Sequence, residues 1–150
     1  MNTSLVILKP DSVLRGLTGQ ITARFENMWL TLTGCKLVTL TKEILDVHYA
    51  HHTEKPFYPE IVSFMTAAPV MIQAWSGEEA VKKVRKAVGV TNALEAEPGT
   101  VRGDYAINIW ANLIHASENE EEAVAELERF FDTHELQSYE RFGSSMINWR

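Results

Sequence analysis

The sequence predicts an α+β fold in which helices pack on an antiparallel sheet, and three observations lead to this prediction. Short aliphatic or alternating stretches, which are typical of strands, occur at four places along the chain. Amphipathic stretches with apolar residues three or four positions apart lie between them. In addition, 45% of the 150 residues are hydrophobic, which is enough to bury the core of one domain. We therefore expect residues 1–150 to form a single domain.

The first part of the chain predicts a strand, a helix and a second strand. The run SLVIL, residues 4–8, is aliphatic and stops before Pro10, which lacks the amide donor that a ladder needs. Between Leu17 and Met28, apolar residues recur at spacings of four, four and three, which predicts an amphipathic helix. The stretch LTLTGCKLVTL, residues 30–40, alternates β-branched and apolar side chains and predicts the second strand.

The middle of the chain predicts two short helices, the third strand and a basic helix. Thr41 is a suitable N-cap for the first helix, and EIVSFMTAA, residues 60–68, predicts the second. PVMIQAW, residues 69–75, predicts the third strand. From Ala80 to Val88, apolar residues mark one helical face while Lys and Arg side chains occupy the other.

The last part predicts a long loop, a fourth strand and a final helix. Residues 89–104 contain Pro and Gly breakers and exceed the usual connection, so we expect a loop that is functional or contacts a neighbour. YAINIWA, residues 105–111, alternates and predicts the fourth strand. Apolar positions between Ser117 and Phe131 predict the last helix. This order matches a ferredoxin-like β-α-β-β-α-β core, a four-stranded antiparallel sheet with helices packed on it.

The overall composition excludes several classes of protein. A net charge of -6 argues against a general nucleic-acid binder, so any anionic ligand must meet a local cluster of cations. The single cysteine, Cys35, cannot form an internal disulfide. The apolar run near the start, residues 5–8, is far shorter than a signal peptide core or a membrane span. We expect a soluble, cytoplasmic protein that does not enter the membrane.

One histidine has a sequence setting that suits nucleophilic chemistry. His115 follows the predicted fourth strand, so its ring can be presented at the rim of the sheet. A neutral imidazole offers a lone pair without first losing a proton, provided that a partner holds its other nitrogen. Ser117, two residues later, and Glu126, on the flank of the next helix's apolar stripe, are candidate partners. The simpler interpretation is a surface histidine before a solvated acidic helix.

Cations elsewhere in the chain favour the chemical interpretation. Lys9 follows the first strand directly, which brings its ammonium to the end of the sheet. Arg85 lies at the buried edge of the basic helix and Arg102 lies in the glycine-containing TVRGD. Guanidinium groups match phosphate oxygens in pairs. Thr91 adds a hydroxyl after a helix end, and Phe57, between two prolines, could stack on a base.

The motifs ILKPD, RGLTGQI, HYAHHTEKPF, AVGVTN, EPGTVRGD and NLIHASE resemble those of nucleoside diphosphate kinases in order and spacing. The resemblance extends from about Val6 to Phe131. It implies a ferredoxin-like core and a ping-pong reaction. In this reaction the γ-phosphate of a nucleoside triphosphate moves to the active histidine and then to a nucleoside diphosphate, which maintains nucleoside triphosphate pools.

The same resemblance assigns roles around the phosphorylated residue. His115 resembles the residue that receives the phosphate, and Ser117 and Glu126 resemble the groups that fix its ring. Tyr49 matches the phenol beside the histidine. Glu118 stands where the family usually has aspartate, near a Mg²⁺ ion that bridges phosphate oxygens, so we expect any contact there to pass through water.

It also assigns the nucleotide contacts. Lys9 and Asn112 resemble the pair that contacts the ribose 3′-hydroxyl, with Lys9 also reaching phosphate. The residues that match the family's phosphate binders are Arg85, Thr91 and Arg102. Phe57 corresponds to the aromatic residue on which the base stacks, and Ile61 to a residue lining the same cleft. Because every base has a π-face, stacking implies broad base specificity.

Some positions depart from the family pattern. Ala116 replaces the usual glycine after the histidine, and a positive φ there would cost on the order of 1 kcal/mol. Ser12 and Ala68 replace glycines, and Glu118 replaces aspartate with a longer arm. Since no predicted catalytic group is missing, we expect an active enzyme, with a rate that these changes could alter.

Two other functions fit parts of the sequence. A non-catalytic relative could keep the nucleotide cleft for binding or regulation, although retention of the histidine, its acid and the cations argues against it. RNA binding is suggested by GLTG, residues 16–19, but the intervening residues are not basic. We expect no specific nucleic-acid partner.

Metal binding and assembly can also be considered from the sequence. His48, His51 and His52 have helical metal-ligand spacing, yet without a cysteine or acid beside them one exposed helical face is the simpler interpretation. The long loop through Pro98 corresponds to a place of trimer contacts in the family. The resemblance therefore implies a homo-oligomer, either a hexamer, a tetramer or a dimer.

Overall fold

A computed structural model describes residues 1–143 of the chain. Four strands alternate with seven α-helices over these residues. The strands are β1 (Asn2–Leu8), β2 (Thr31–Val38), β3 (Val70–Gly77) and β4 (Ile114–Ala116). The helices are α1 (Pro10–Leu14), α2 (Thr18–Asn27), α3 (Lys42–His48), α4 (Tyr58–Thr66), α5 (Ala80–Val88), α6 (Val101–Tyr105) and α7 (Glu120–Phe130). Short 3₁₀ turns cover Ala50–His52 and Thr133–Glu135.

The four strands form one sheet in the order β2-β3-β1-β4, and every neighbouring pair is antiparallel. The predicted ferredoxin-like topology is therefore confirmed. β1 lies in the interior of the sheet, where its aliphatic run is covered on both faces. This places the end of β1, followed by Lys9, beside the short edge strand β4.

Alternating side chains of β1 supply two hydrophobic cores, one on each face of the sheet. Val6 and Leu8 pack with apolar residues of α2 and α5 on one face. Leu5 and Ile7 pack with residues of α3, α4 and α7 on the other. The period of two along a strand produces this division. It fixes α7 on the face that carries His115, whose strand position is opposite Ile7.

The predicted fourth strand, YAINIWA, is wrong. Tyr105 ends α6, and Ile107 and Ile109 are exposed instead of sharing a buried strand face. The side chain of Asn108 accepts hydrogen bonds from the amides of Trp110 and Ala111 at 2.9 and 2.8 Å. These local bonds hold a turn in place of a ladder. β4 begins only at Ile114, so His115 lies within it and does not follow it.

The boundaries of two helices depend on their caps. Thr41 caps α3 as predicted, with its side chain accepting from the amide of Ile44 at 3.5 Å. The last helix starts later than predicted, because Asn119 is its cap and accepts from the amide of Glu122 at 2.9 Å. Ser117 is fully buried and lies two residues before this cap.

Ala116 does not have the positive φ that would make its methyl group costly. The positive-φ residues other than glycine among residues 1–143 are Trp29, Glu79 and Leu113. Ala116 is a buried residue of β4, where an alanine side chain is compatible with the backbone. Ser12 is also buried and donates to the carbonyl of Leu113 at 2.6 Å.

None of the helices in the described part of the chain combines the length and the apolar character needed to cross a membrane.

Candidate active site

A cleft of about 530 Å³ lies beside β4 and the residue that follows β1. It brings together most of the side chains that the sequence singled out, from every part of the chain. Those that line it are Lys9, Tyr49, Arg85, Thr91, Arg102, Asn112, His115, Glu118 and Glu126. Several cations therefore share the cleft with His115, although the protein as a whole is acidic.

His115 is held through one of its two ring nitrogens. Its Nε2 lies 2.9 Å from Oε1 of Glu126, a residue of α7. A carboxylate can only accept, so Nε2 carries the proton and donates it. The neutral ring then keeps its lone pair on Nδ1. The contact thus leaves Nδ1 as the nitrogen with the lone pair, a choice that the sequence left open.

Glu126 is itself held in place. The residue is 4% exposed, and its Oε2 accepts a hydrogen bond from Ser117 Oγ at 2.8 Å. Ser117 Oγ also accepts from the amide of Leu5 in β1 at 3.0 Å. Ser117 therefore contacts the carboxylate and the central strand. It supports the His115 ring through Glu126.

Arg102 is buried and is bound by backbone carbonyls. Its guanidinium donates to the carbonyls of Asn112, Gly89 and Ile114 at 3.3, 3.0 and 2.6 Å. Burial, followed by the nearby charge of Arg85, lowers the pKa of Arg102 to about 10. These carbonyl partners are neutral, so the positive charge remains available to a bound anion.

Lys9 and Asn112 form a direct pair in the cleft. Lys9 Nζ donates to Asn112 Oδ1 at 2.8 Å, and Asn112 Nδ2 donates to the carbonyl of Ile109 at 2.8 Å. Burial and then the charge of Arg102 lower the pKa of Lys9 to about 8. The lysine is thus a cation at neutral pH that begins to lose its proton only slightly above it.

The backbone just after Asn112 is strained. Leu113 has a φ of 73°, which is unfavourable for a side chain of this size. Its amide donates to Asp11 Oδ2 at 3.1 Å, and its carbonyl accepts from the amide of Lys9 at 2.8 Å. These bonds to the segment after β1 hold the unusual turn, and the turn places Asn112 next to Lys9.

Arg85 and Thr91 approach from α5 and the loop beyond it. Arg85 donates to the carbonyl of Ala116 at 3.4 Å, so its guanidinium lies beside the strand that carries His115. Thr91 is exposed in the cleft, and its carbonyl lies 3.5 Å from Asn112 Nδ2. Together with Arg102, these groups form a cationic, hydrogen-bonding wall of the cleft that also holds His115.

This arrangement agrees with the similarity of the chain to known proteins. A family model described as nucleoside diphosphate kinase matches residues 2–136. The chain belongs to the nucleoside diphosphate kinase family. It is therefore an enzyme that transfers phosphate between nucleotides, and the non-catalytic alternative is not favoured.

Individual relatives support the assignment over almost the whole chain. The nucleoside diphosphate kinase of Halalkalibacterium halodurans is 45% identical over 94% of this chain and 96% of the relative. That of Parabacteroides distasonis is 49% identical over 93% and 92%. The solved structure of the Halobacterium salinarum nucleoside diphosphate kinase in complex with CDP has a TM-score of 0.94 and 40% identity, covering 99% of both chains.

The expected base-binding residues lie beside the cleft and do not line its described wall. The ring of Phe57 lies 5.6 Å from that of His52, a residue of the cleft, and 5.8 Å from that of Trp110. Trp110 is 56% exposed. Ile61 instead packs against the hydrophobic core on the α7 face. The half-buried Phe57 thus extends the cleft with an aromatic surface.

Besides Glu126, two further carboxylates line the cleft. Glu118 and Glu122 are both exposed there. Enzymes of this family are metal-dependent in general. Exposed carboxylate oxygens beside a phosphate site suit Mg²⁺, which keeps several waters and also takes phosphate oxygens as ligands. The residues present therefore fit a magnesium ion bound through water.

Sequence reasoning missed two residues of the cleft, His48 and Arg129. His48 is 8% exposed, and its ring centroid lies 4.6 Å from that of His115. The expectation that His48 lies on one exposed helical face with His51 and His52 is wrong. Arg129 of α7 also lines the cleft. The pairing of His48 at the end of α3 with Arg129 could not be found by spacing, since 81 positions separate them.

The resemblance predicts that Tyr49, which follows His48 in the chain, lies beside His115. Tyr49 lines the cleft, with its ring 4.7 Å from that of His48. Burial and then the charge of Glu126 raise the pKa of Tyr49 to about 12. The phenol is therefore a neutral hydrogen-bond donor at any physiological pH.

Proposed function

We propose that His115 carries the phosphate in this enzyme. Nδ1 attacks the γ-phosphorus of a nucleoside triphosphate, an N–P bond forms, and the bond from phosphorus to the β–γ bridging oxygen breaks. The nucleoside diphosphate leaves with that electron pair. A second nucleoside diphosphate then takes the phosphate by the reverse step. The observation that supports this most directly is the contact of His115 Nε2 with Glu126, which leaves Nδ1 with its lone pair.

The cations supply the remaining requirements of phosphoryl transfer. Arg85, Arg102 and Lys9 bind the phosphates and offset the charge that develops on the equatorial oxygens. Thr91 donates its hydroxyl to the same phosphates. Because Arg102 is already anchored by three carbonyls, little reorganisation is needed when substrate enters. Ser117 and Glu126 hold the histidine ring, and Tyr49 donates from beside it.

Nucleotide binding away from the phosphates does not depend on base identity. Lys9 and Asn112, which are 2.8 Å apart, contact the ribose 3′-hydroxyl, which is common to ribonucleotides and deoxyribonucleotides. Phe57 stacks on the base, and Ile61, four residues further on, packs against the hydrophobic core. The enzyme therefore accepts nucleotides of any base and maintains nucleoside triphosphate pools.

Mg²⁺ is the proposed cofactor, held at the cleft by Glu118 through water. Bound with the nucleotide, it would supply positive charge to the phosphate oxygens. Glu118 has a longer arm than aspartate, and a water-mediated contact accommodates the additional methylene.

The direct test is to identify the phosphorylated atom. Incubation with ATP labelled at the γ-phosphate should give an acid-labile phosphoprotein, and NMR of that protein should show phosphate on Nδ1 of His115. Addition of a nucleoside diphosphate should remove the label as the triphosphate. Phosphate on Nε2, or on another residue, would contradict the proposal.

We further propose that residues 1–150 act as one domain in the cytoplasm and assemble as a homo-oligomer. The exposed apolar side chains of Ile107 and Ile109 support assembly because association would cover them. Light scattering after size exclusion would distinguish a hexamer, a tetramer and a dimer. A monomer at micromolar concentration would contradict the proposal.

A further inference from the structure

His48 is a buried polar residue that the phosphate-transfer mechanism does not use. Its ring packs edge-on against Tyr49 at the end of α3, His115 in β4 and Phe130 at the end of α7. The centroid distances are 4.7 Å to Tyr49, 4.6 Å to His115 and 5.2 Å to Phe130. A ring held on several sides cannot turn freely, and it limits the rotation of the His115 ring that it touches.

One contact determines the tautomer of this histidine. NH1 of Arg129 lies 3.0 Å from His48 Nδ1. Arginine has no acceptor, so the guanidinium donates and Nδ1 must offer its lone pair. The proton of the neutral ring is consequently on Nε2, which is buried and has no hydrogen-bond partner among residues 1–143.

The surroundings of His48 keep its ring neutral. Burial first, and then the positive charges near it, lower the pKa of His48 to about 2. The charged and titratable groups facing it are Lys9, His51, His115, Glu126 and Arg129. The ring therefore adds no charge beside the nucleophile at any pH where the enzyme works.

We propose that Arg129 is a positioning residue. By donating to Nδ1 of His48 it fixes the His48 ring, and the His48 ring in turn fixes the plane of the His115 ring that receives phosphate. The inference rests on the proposed role of His115 and extends the histidine's support beyond Glu126. Glu126 fixes one nitrogen of His115, whereas Arg129, acting through His48, fixes the direction in which the other nitrogen points. Both supports come from α7, on successive turns of one helix.

A competing role for Arg129 is direct binding of phosphate, because it also lines the cleft. The two roles predict different kinetics. Removal of a group that binds phosphate in the ground state raises KM, whereas a misdirected nucleophile lowers kcat with little change in KM. The bond of NH1 to His48 favours the positioning role.

The test is a double-mutant cycle between Arg129→Met and His48→Phe, which retains a ring of similar size. Arg129→Met alone should lower kcat and the rate of phosphohistidine formation about 10-fold, with KM within about twofold of wild type. In the His48→Phe background the same substitution should have almost no further effect. Arg129→Lys, which keeps a donor and the charge, should recover part of the rate.

A spectroscopic measurement separates this role from simple structural support. The ¹⁵N shifts of the His48 ring should show an unprotonated, hydrogen-bonded Nδ1 in wild type and Arg129→Lys, and a changed Nδ1 shift in Arg129→Met. Glu128→Gln, an exposed neighbour on α7, is the matched control and should change neither the shifts nor kcat. Circular dichroism and thermal unfolding establish that each variant is folded.

Three outcomes would overturn the inference. These are a wild-type kcat in Arg129→Met, a raised KM at unchanged kcat, and an undiminished kcat loss in the His48→Phe background. Partial unfolding caused by Arg129→Met would also give an undiminished kcat loss in the His48→Phe background. That outcome therefore counts against the inference whichever cause it has. Failure of the proposed function would look different, because labelled phosphate in the wild-type enzyme would then be absent from His115.

Discussion

Two regions of the cleft are built in different ways. One is the phosphate end, around His115 and Arg102, which is proposed to bind phosphate, and the other is the aromatic surface beside it, formed by Phe57 and Trp110. At the phosphate end, His115 and Arg102 are bound by specific hydrogen bonds to groups that are themselves buried. Beside it, Phe57 and Trp110 contact each other through their rings, and Trp110 is largely exposed. The first region is fixed before substrate arrives, whereas the second offers an apolar surface of low directional specificity.

The difference separates two requirements of one reaction. Phosphoryl transfer needs an aligned nucleophile and fixed charges, so small displacements at the phosphate end reduce the rate. Base binding in an enzyme that serves all nucleotides needs contact without selection, which stacking provides. Changes to the groups that hold His115 should therefore act on kcat, and changes at the aromatic surface should act on KM.

The largest effect is expected from His115→Gln, which removes the proposed nucleophile. Exchange of phosphate between ATP and another nucleoside diphosphate should fall by about 10⁴-fold or more, and no acid-labile phosphoprotein should form. A coupled assay and label incorporation measure the two effects. Retention of more than a few per cent of the activity would place the chemistry elsewhere in the cleft.

Glu126→Gln should lower kcat about 10- to 100-fold with KM nearly unchanged. The amide offers one acceptor oxygen where the carboxylate gives one to His115 and one to Ser117, so the histidine tautomer is less well fixed. The exposed Glu128→Gln on the same helix serves as control. If Glu126→Gln and Glu128→Gln have the same kcat, the rate does not depend on the hydrogen bonds that hold His115. The phosphate end would then differ less from the aromatic surface.

The pH dependence of kcat/KM should report Lys9. Its folded-state pKa of about 8 lies below the ordinary 10.5, so the ammonium is present at pH 7 and is lost as pH rises through 8. Because kcat/KM reflects groups of the free enzyme, it should decline above pH 8. Lys9→Arg should have a lower kcat/KM than wild type at pH 7. It should lack the decline above pH 8, because a guanidinium stays charged. A flat wild-type profile from pH 7 to 9.5 would exclude this role.

Phe57→Ala should raise KM about 5- to 160-fold for purine and pyrimidine nucleotides alike, because the absence of base stacking costs about 1–3 kcal/mol per base. The value of kcat should change little. Phe57→Tyr keeps the ring and should behave as wild type. A large fall in kcat, or an effect confined to one base, would mean that this surface aligns or selects substrate and would remove the contrast with the phosphate end.

The smallest effect is expected from Ala116→Gly. Because Ala116 has no positive φ, glycine relieves no strain, and its greater freedom in the unfolded chain should lower the free energy of unfolding by about 0.5–1 kcal/mol. Urea unfolding measures this change, and kcat should remain that of wild type. A gain in either quantity would show that the alanine strains the strand that carries His115.

Local patterns in the sequence determined much of this protein. The aliphatic run before Lys9 predicted the central strand, the apolar periodicities predicted α2 and α5, and their order along the chain predicted the ferredoxin-like topology. The motifs around His115 and Arg102 identified the family resemblance. These features could be predicted because periodicity and motif spacing are properties of neighbouring residues.

Only the tertiary structure decided how the site is held together. The fourth strand was misplaced because Asn108 forms a turn that competes with the alternating pattern. The partners of Arg102 are backbone carbonyls, whose positions depend on the fold and not on residue type. The contact of Arg129 with His48 joins helices far apart in the sequence. Such contacts follow from strand register and helix packing, which no local pattern of residues specifies.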